Sequence, residues 1–273
     1  MSQSRQSGVS VVIPAYNAAE ELAETVRKVR SELSLLDSPV EIVVVDDGST
    51  DDTTRVASSL AGVRLLRSSC NRGKGWAVYR GVMQASFPVV CFTDADGPFL
   101  PGSYRAVVEP VLAGAPFVIG SRRLPGSEML VSMSALNYAA RRHLIGIGFN
   151  RCVRWCLPLR ITDTQCGLKA FSREVGIELC QRVRSLRYLF DLELLLAARE
   201  LGVPVTEVPV SVAYRDRKTS LRLFRESIVM AVGLGGIALR AYGGTYRVPN
   251  PKIASLVTDE AALIEGAVGS RPR

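Results

Sequence analysis

Two aspartates separated by a single residue, Asp94 and Asp96, follow an apolar run over residues 87–93. The run has the length and composition of a buried strand, and residues i and i+2 of a strand project from the same face. The two carboxylates are therefore expected side by side at the carboxyl end of a strand, where open α/β sheets bind ligands. Carboxylate oxygens suit a hard cation, Mg²⁺ or Mn²⁺, which shares its coordination shell with substrate phosphates. The alternative for so short a motif is an aspartate-rich turn.

Polar residues follow two earlier apolar runs in the same way. Tyr16 comes after the first run, and Asp46 and Asp47 come after the second. The carboxyl ends of parallel strands share one edge of a sheet, so these side chains are expected near Asp94 and Asp96. A tyrosine ring can stack on a base, Asp47 can accept hydrogen bonds from a base or ribose, and a bound cation can neutralise a diphosphate. Together they predict a nucleoside-diphosphate site.

The glycine-rich segment Asn71–Gly75 (NRGKG) lacks the Walker A spacing. It could still place backbone N–H groups and the Lys74 ammonium at a helix N-terminus, where phosphate is attracted, although a plain turn and helix start is the alternative. The first strand runs into Pro14 rather than into glycines. That disfavours a dinucleotide fingerprint and the glycine-rich signature of a nucleotidyltransferase.

Alternating strand and helix patterns must position these residues. The pattern predicts strands over residues 9–13, 41–45, 63–66, 87–93 and 117–119, with helices over 18–36, 74–85 and 101–112 and another ending near 60. Strands separated by single helices imply right-handed crossovers and a mainly parallel sheet with both faces covered. The predicted fold class is therefore α/β, with a single Rossmann-like sheet flanked by helices.

The regular alternation of strand and helix patterns ends after Gly120. We predict helices over residues 132–157, 190–201 and 219–242, an edge strand over 203–212, and an irregular segment over 163–171.

Composition narrows the function. The 273 residues carry a net charge of +8 and a pI near 9.4, which indicates an anionic partner such as nucleic acid, a membrane surface or a phosphorylated substrate. Only 7% of the residues are aromatic, which argues against nucleic acid. The single histidine, His143, disfavours zinc sites and triads unless it is itself the base. Six cysteines without a C-x-x-C pair or a signal peptide predict free thiols in the cytoplasm.

Four ordered motifs resemble the family 2 glycosyltransferases with the GT-A fold. They are Val11–Asn17 (VVIPAYN), Val44–Asp51 (VVDDGSTD), Asn71–Gly75 (NRGKG) and Asp94–Gly97 (DADG). The later segments Asp163–Lys169 (DTQCGLK) and Phe190–Glu193 (FDLE) are similar to the branch that includes dolichyl-phosphate β-glucosyltransferase and polyprenyl-phosphate glucosyl- and mannosyltransferases. The resemblance implies a GT-A domain over residues 9–225. The residue pattern beyond it predicts a C-terminal helix and a weakly ordered tail over 226–273.

The same resemblance implies an inverting sugar transfer from a nucleotide sugar, dependent on Mg²⁺ or Mn²⁺. On the donor side, the resemblance implies that Pro14, Tyr16 and Asp47 contact the nucleoside and that Lys74 contacts the nucleotide. It implies that Asp94-Ala95-Asp96 holds the metal and the diphosphate, with Asp96 the more direct metal ligand.

The acceptor side rests on basic residues and two aspartates. A Gly-Ser-Arg element ending at Arg122 resembles a family element near the acceptor, although a surface basic pair of Arg122 and Arg123 is the alternative. A basic loop with Arg217 and Lys218 is expected to close over the diphosphate or the acceptor phosphate. An alcohol acceptor needs a general base, for which Asp163 and Asp191 are the two candidates, although Asp191 also suits a plain helix cap. A phosphate acceptor, largely dianionic at neutral pH, needs cations instead.

The expected function is transfer of a hexose from UDP-glucose to a polyprenyl or dolichyl phosphate. Two apolar stretches with basic neighbours, residues 144–149 and 228–239, suit peripheral contact with the inner face of the membrane, unless both pack on the sheet as core. Neither reaches the roughly 20 apolar residues of a membrane span. A soluble or natural-product acceptor, with UDP-N-acetylglucosamine or GDP-mannose as donor, is the alternative. The sequence also leaves a homo-oligomer open.

Overall fold

The computed structural model describes residues 7–187, 189–214 and 232–250. Its strands are β1 Val9–Ala15, β2 Val40–Asp46, β3 Val63–Arg67, β4 Val89–Phe92, β5 Phe117–Ser121, β6 Met129–Val131, β7 Lys169–Ser172, β8 Val205–Pro209 and β9 Val212–Tyr214. Seven of them form one sheet in the order β3-β2-β1-β4-β7-β5-β8, and β6 pairs with β9 in a separate parallel ribbon. Every pair in the large sheet is parallel except those made by β7. The predicted mainly parallel α/β sheet is confirmed.

Helices cover both faces of this sheet. They are α1 Leu22–Leu33, α2 Thr53–Ser59, α3 Lys74–Gln84, α4 Ser103–Leu112, α5 Leu136–Cys156, α6 Arg173–Cys180, α7 Phe190–Glu200 and α8, whose described part covers residues 232–242. Alternate residues of β1 separate the two resulting cores. Val12 belongs to the core that includes α3 and α7, whereas Val11 and Ile13 belong to the core that includes α1 and α4. Burial on both faces explains the uninterrupted apolar runs of the central strands.

Two strands were not predicted, namely β6 over Met129–Val131 and β7. The irregular segment expected over residues 163–171 is wrong from Lys169 onward, because β7 lies between β4 and β5 and runs antiparallel to both. Ala170 pairs with Cys91 on one side and with Val118 on the other. The segment is short and contains a lysine, so its pairing comes from distant partners rather than from a local pattern.

The predicted edge strand over residues 203–212 is present but divided. β8 forms the outer edge of the large sheet, and β9 leaves it to pair with β6. A bridge between Phe99 and Val212 ties this small ribbon to the segment that follows β4.

The C-terminal described residues join the core. Leu234, Ile237 and Tyr246 are buried in the same core as α7. The boundary predicted between residues 225 and 226 lies outside the described ranges and stays a prediction. Within those ranges, no helix has both the length and the apolar character needed to cross a bilayer.

Candidate active site

The Asp94–Gly97 turn at the end of β4 is fixed by two hydrogen bonds and by a close approach of Gly97 to Thr25. The Gly97 N–H donates to the Asp94 carbonyl over 3.0 Å, and the Thr25 hydroxyl of α1 donates to the Ala95 carbonyl over 2.7 Å. Gly97 has φ +29°, and a Cβ there would lie 2.6 Å from the Thr25 hydroxyl. Glycine is required at this close approach, which holds Asp94 and Asp96 at the carboxyl edge of the sheet.

A gap opens beside β1 at this edge. The pairing between β1 and β4 ends at Val12 and Phe92, so Pro14 lies beyond the last pair. Proline has no N–H for a ladder, and this position is one where a central strand tolerates it. Tyr16 is the first residue after β1, and its side chain is 48% exposed, as stacking against a ligand would require. Their predicted nucleoside contacts remain predictions.

Asp47 supports the neighbouring loop. Its carboxylate is buried and accepts the backbone N–H groups of Arg72 and Gly73 over 3.0 and 2.7 Å. Burial raises the pKa of Asp47 even though both hydrogen bonds lower it. The predicted contact with a base or ribose therefore competes with two existing hydrogen bonds, and it too stays a prediction.

Lys74 stands between two aspartates. Its ammonium lies 2.6 Å from Asp94 Oδ1 and 3.5 Å from Asp191 Oδ2. It also lies 5.3 Å from the centre of the Phe190 ring, within range of a cation–π interaction. Burial lowers the pKa of Lys74, but the charges of Asp191 and Asp94 outweigh it and raise the pKa above its ordinary value. The lysine is therefore a permanent cation that links β4 to the start of α7.

Lys169 extends this chain of charges, and sequence reasoning assigned it no role. Its fully buried ammonium donates to Asp191 Oδ1 and to the Cys166 carbonyl, each over 2.6 Å. The available signal was a lysine inside the apolar segment Leu168–Phe171, because a charge placed in a core must be paired. The structure thus brings Lys74, Asp94 and Asp191 together and adds Lys169.

Asp163 belongs to a second ion pair. Arg122 donates from Nε and Nη2 to the two carboxylate oxygens over 2.7 and 2.9 Å, and its backbone N–H donates to Oδ2 over 3.1 Å. Burial raises the pKa of Asp163, but the Arg122 charge and hydrogen bonds outweigh it, so the net pKa lies below the ordinary value. Glu207 accepts the Asp163 N–H and so fixes the loop from the side of β8.

Positive charge exceeds negative charge around Asp163. Burial and the guanidinium groups of Arg122 and Arg154 outweigh Asp163 and lower the pKa of Arg123. Arg122 and Arg123 lie near Asp163, and Arg154 lies near Arg123. These three cations outnumber the carboxylates of Asp163 and Glu207, which favours an anionic ligand on this side. Arg217 and Lys218, predicted to close over the phosphates, lie outside the described residues.

Gly167 joins the two ion-pair systems. A Cβ at this position would lie 2.0 Å from Asp94 Oδ2. The loop that begins at Asp163 therefore packs its backbone directly against the carboxylate that Lys74 holds.

Glu193 is a further buried carboxylate, quoted in the sequence motif without a role. It accepts the N–H groups of Arg184 and Ser185, each over 2.6 Å, and the Tyr246 hydroxyl over 2.8 Å. The residue after Ser185 is Leu186, whose carbonyl accepts the Trp76 N–H at the start of α3. Glu193 thereby connects the C-terminal segment to the helix end that carries Lys74.

The residues present fit a divalent cation. Asp94 and Asp96 provide oxygen ligands of the kind that Mg²⁺ and Mn²⁺ prefer. The described part of the chain has no group of three histidine, cysteine or acidic side chains that could enclose a metal by itself. Such a pair suits an ion that completes its shell with water and substrate phosphates.

Comparison with known proteins finds relatives over most of the chain. Dolichyl-phosphate beta-glucosyltransferase from Dictyostelium discoideum is 32% identical over 258 residues, covering 88% of this chain and 76% of the relative. Polyprenol monophosphomannose synthase from Mycolicibacterium smegmatis is 32% identical over 216 residues, covering 76% of this chain and 77% of the relative.

A solved structure shares the fold. It is glucosyl-3-phosphoglycerate synthase from Mycobacterium tuberculosis in complex with Mn²⁺, UDP and glucosyl-3-phosphoglycerate, with a TM-score of 0.57, 26% identity, and coverage of 84% of this chain and 80% of that one. The sheet and its flanking helices form a GT-A fold. The model of the family described as "Glycosyl transferase family 2" matches residues 10–176. Because that match spans more than half of this chain, the chain belongs to glycosyl transferase family 2 and is a hexosyltransferase that uses a nucleotide sugar.

Proposed function

We propose that the chain transfers glucose from UDP-glucose to the phosphate of a polyprenyl or dolichyl phosphate. One observation carries the choice of a phosphate acceptor: both aspartates predicted as candidate bases are in ion pairs, Asp163 with Arg122 and Asp191 with Lys169. An alcohol must lose a proton to become a strong nucleophile. A phosphate monoester is largely dianionic at neutral pH and brings its own negative charge.

The acceptor surroundings support the same choice. A dianionic phosphate needs cations, and the three arginines Arg122, Arg123 and Arg154 outnumber the two carboxylates of Asp163 and Glu207 on this side. The two sequence relatives supply the lipid part of the proposal, since one is a dolichyl-phosphate beta-glucosyltransferase and the other a polyprenol monophosphomannose synthase.

In the proposed reaction, a phosphate oxygen of the acceptor attacks the anomeric carbon of the sugar. The bond from that carbon to the diphosphate oxygen breaks, and the leaving nucleoside diphosphate keeps the electron pair. Inversion follows from a single displacement through an oxocarbenium-like transition state. Lys74 holds positive charge beside the diphosphate, Asp191 orients Lys74, and Arg122 positions the acceptor side. A divalent cation bound at Asp94 and Asp96 would supply Lewis-acid stabilisation of the leaving diphosphate.

Peripheral membrane contact is part of this proposal. Leu144, Arg151 and Trp155 of α5 are exposed, and their spacing of seven and four residues puts them on one helical face. Apolar side chains next to arginines suit the boundary of an anionic leaflet, where each cation contributes about 1 kcal/mol. We propose that this face rests on the inner surface of the membrane.

A soluble phosphorylated acceptor is the second candidate. It is favoured by the similarity to glucosyl-3-phosphoglycerate synthase, whose complex contains glucosyl-3-phosphoglycerate, a sugar joined to a small phosphorylated acid. The arginine-rich acceptor side suits either source of phosphate.

A transfer assay tests the proposal. Purified chain with Mn²⁺ is given UDP-glucose, UDP-N-acetylglucosamine or GDP-mannose, each with a short polyprenyl phosphate, with 3-phosphoglycerate, or with neither. We expect UDP release from UDP-glucose that depends on the polyprenyl phosphate. Release that depends only on 3-phosphoglycerate would favour the second candidate, and release from another donor would change the sugar. Lack of turnover with every combination would overturn the proposal.

A further inference from the structure

We propose that Lys74 is a mobile positioning residue: it neutralises Asp94 when no metal is bound and moves onto Asp191 when a divalent cation binds. The inference rests on the proposed metal site at Asp94 and Asp96. Its starting point is the geometry of one ammonium between two carboxylates, 2.6 Å from Asp94 Oδ1 and 3.5 Å from Asp191 Oδ2.

Asp94 cannot serve both cations at once. Its Oδ2 lies closest to Gly167, whose backbone leaves no space for even a methyl group, and its Oδ1 is the atom held by Lys74. A divalent ion arriving at this carboxylate would therefore meet an ammonium on the more accessible oxygen. Like charges at hydrogen-bond distances repel strongly, so the lysine must leave for the metal to bind well.

Asp191 offers the lysine a second position. Lys169 holds Asp191 Oδ1 at 2.6 Å and is itself fixed by the Cys166 carbonyl, so Oδ2 stays directed toward Lys74. The face of Phe190 lies 5.3 Å from the lysine and can stabilise the cation during the shift. The move shortens an existing 3.5 Å contact and needs no change of the backbone.

The displacement would prepare the site for the donor. After the shift, Asp191 faces two lysines, Lys74 and Lys169, and the group carries one net positive charge beside the metal. That charge attracts the diphosphate, so metal and donor would each favour binding of the other. A metal without the donor would bind weakly because it competes with the lysine.

Direct titration with Mn²⁺ alone tests the competition. Free Mn²⁺ is followed by electron paramagnetic resonance on the full chain, without donor or acceptor. We expect Lys74→Gln to lower the Kd for Mn²⁺ about fivefold, the factor that corresponds to a partly exposed ion pair. Lys28→Gln is the matched control, because Lys28 donates to the Gly97 carbonyl of the same turn but pairs with Glu24. It should give a smaller gain, which measures the general effect of removing one positive charge.

A second variant tests the destination of the lysine. Asp191→Asn should weaken Mn²⁺ binding more in the parent than in the Lys74→Gln background, where no lysine needs a second position. Circular dichroism establishes that each variant is folded, and the two lysine variants decide the proposal if Asp191→Asn unfolds.

The outcomes separate this inference from the proposed metal site. A Kd for Lys74→Gln equal to that for Lys28→Gln, or higher than that of the parent, would overturn the displacement while the metal site stands. If Mn²⁺ does not bind, or if Asp96→Asn leaves its Kd unchanged, the metal site and the displacement are both overturned.

Discussion

The donor and acceptor sides of the site both place an aspartate against a cation, but in different surroundings. The Asp94 side chain is 34% exposed, and its lysine also contacts Asp191. The Asp163 side chain is 1% exposed and is held by two side-chain hydrogen bonds and one backbone hydrogen bond from Arg122. The donor side can therefore exchange its charges when a metal and a diphosphate arrive, whereas the acceptor side is built before any ligand binds.

The largest effect is expected on catalysis at the exposed side. Asp96→Asn should lower sugar transfer by about 10²- to 10³-fold, the typical cost of removing one group that stabilises charge in a transition state. The melting temperature should stay close to that of the parent because Asp96 is not buried in the core. Asp52→Asn, which changes an exposed aspartate paired with Arg55, is the control and should be silent. Full activity of Asp96→Asn would place the donor site elsewhere.

The largest effect on stability is expected at the buried side. Asp163→Asn should lower the free energy of unfolding by about 3–5 kcal/mol at neutral pH, because it leaves Arg122 without its charged partner. Denaturant titration measures this loss. Glu109→Gln, which breaks an exposed pair with Arg105, is the control and should cost at most about 1 kcal/mol. An equal cost for both variants would remove the contrast between the two sides.

The same variant has a defined pH dependence. The pKa of Asp163 is lower in the folded chain than its ordinary value of 3.8, so ionisation favours folding above that pH. The contribution is complete at neutral pH and is lost as the pH falls through the folded-state pKa. The stability difference between the parent and Asp163→Asn should therefore shrink below pH 3.8. A difference that does not change with acidification would contradict the ion pair as its source.

A smaller change should disturb both sides at once. Gly167→Ala places a methyl group against Asp94, and overpacking of this kind costs about 1–3 kcal/mol. It should also weaken Mn²⁺ binding, since Asp94 must move. Gly148→Ala in α5, where a Cβ meets nothing within 4 Å, is the control and should be neutral or stabilise by up to about 1 kcal/mol. Unaltered Mn²⁺ affinity in Gly167→Ala would show that the two sides are independent.

The smallest expected effect is the contribution of Lys74 to folding. Lys74→Gln should change the free energy of unfolding by at most about 1 kcal/mol, because Asp94 can be hydrated once the lysine is absent and Asp191 keeps its ion pair with Lys169. Denaturant titration alongside Asp163→Asn gives the comparison directly. A loss as large as that of Asp163→Asn would mean that the donor side is as rigid as the acceptor side.

The strand ends that carry Tyr16, Asp47 and Asp94 could be predicted because each follows an uninterrupted apolar run, and such runs depend only on burial. β7 could not be predicted, because its four residues pair with strands about 50 and 80 positions earlier in the chain. The same limit applies to Lys169, whose partner Asp191 lies 22 residues away. Local patterns identify which residues are chemically suited to a site, but the pairing of charges across the sheet depends on topology.

The buried carboxylate of Glu193 also has a consequence for biosynthesis. A ribosome delivers the chain from its N-terminus, so α7 emerges before Arg240 and Tyr246, which supply two of the hydrogen bonds to Glu193. Until those residues are synthesised, Glu193 has only the Arg184 and Ser185 N–H groups and the Ser185 hydroxyl as partners, and a buried carboxylate with fewer hydrogen bonds is less stable. The helix that carries Asp191 should therefore reach its final packing only late in translation.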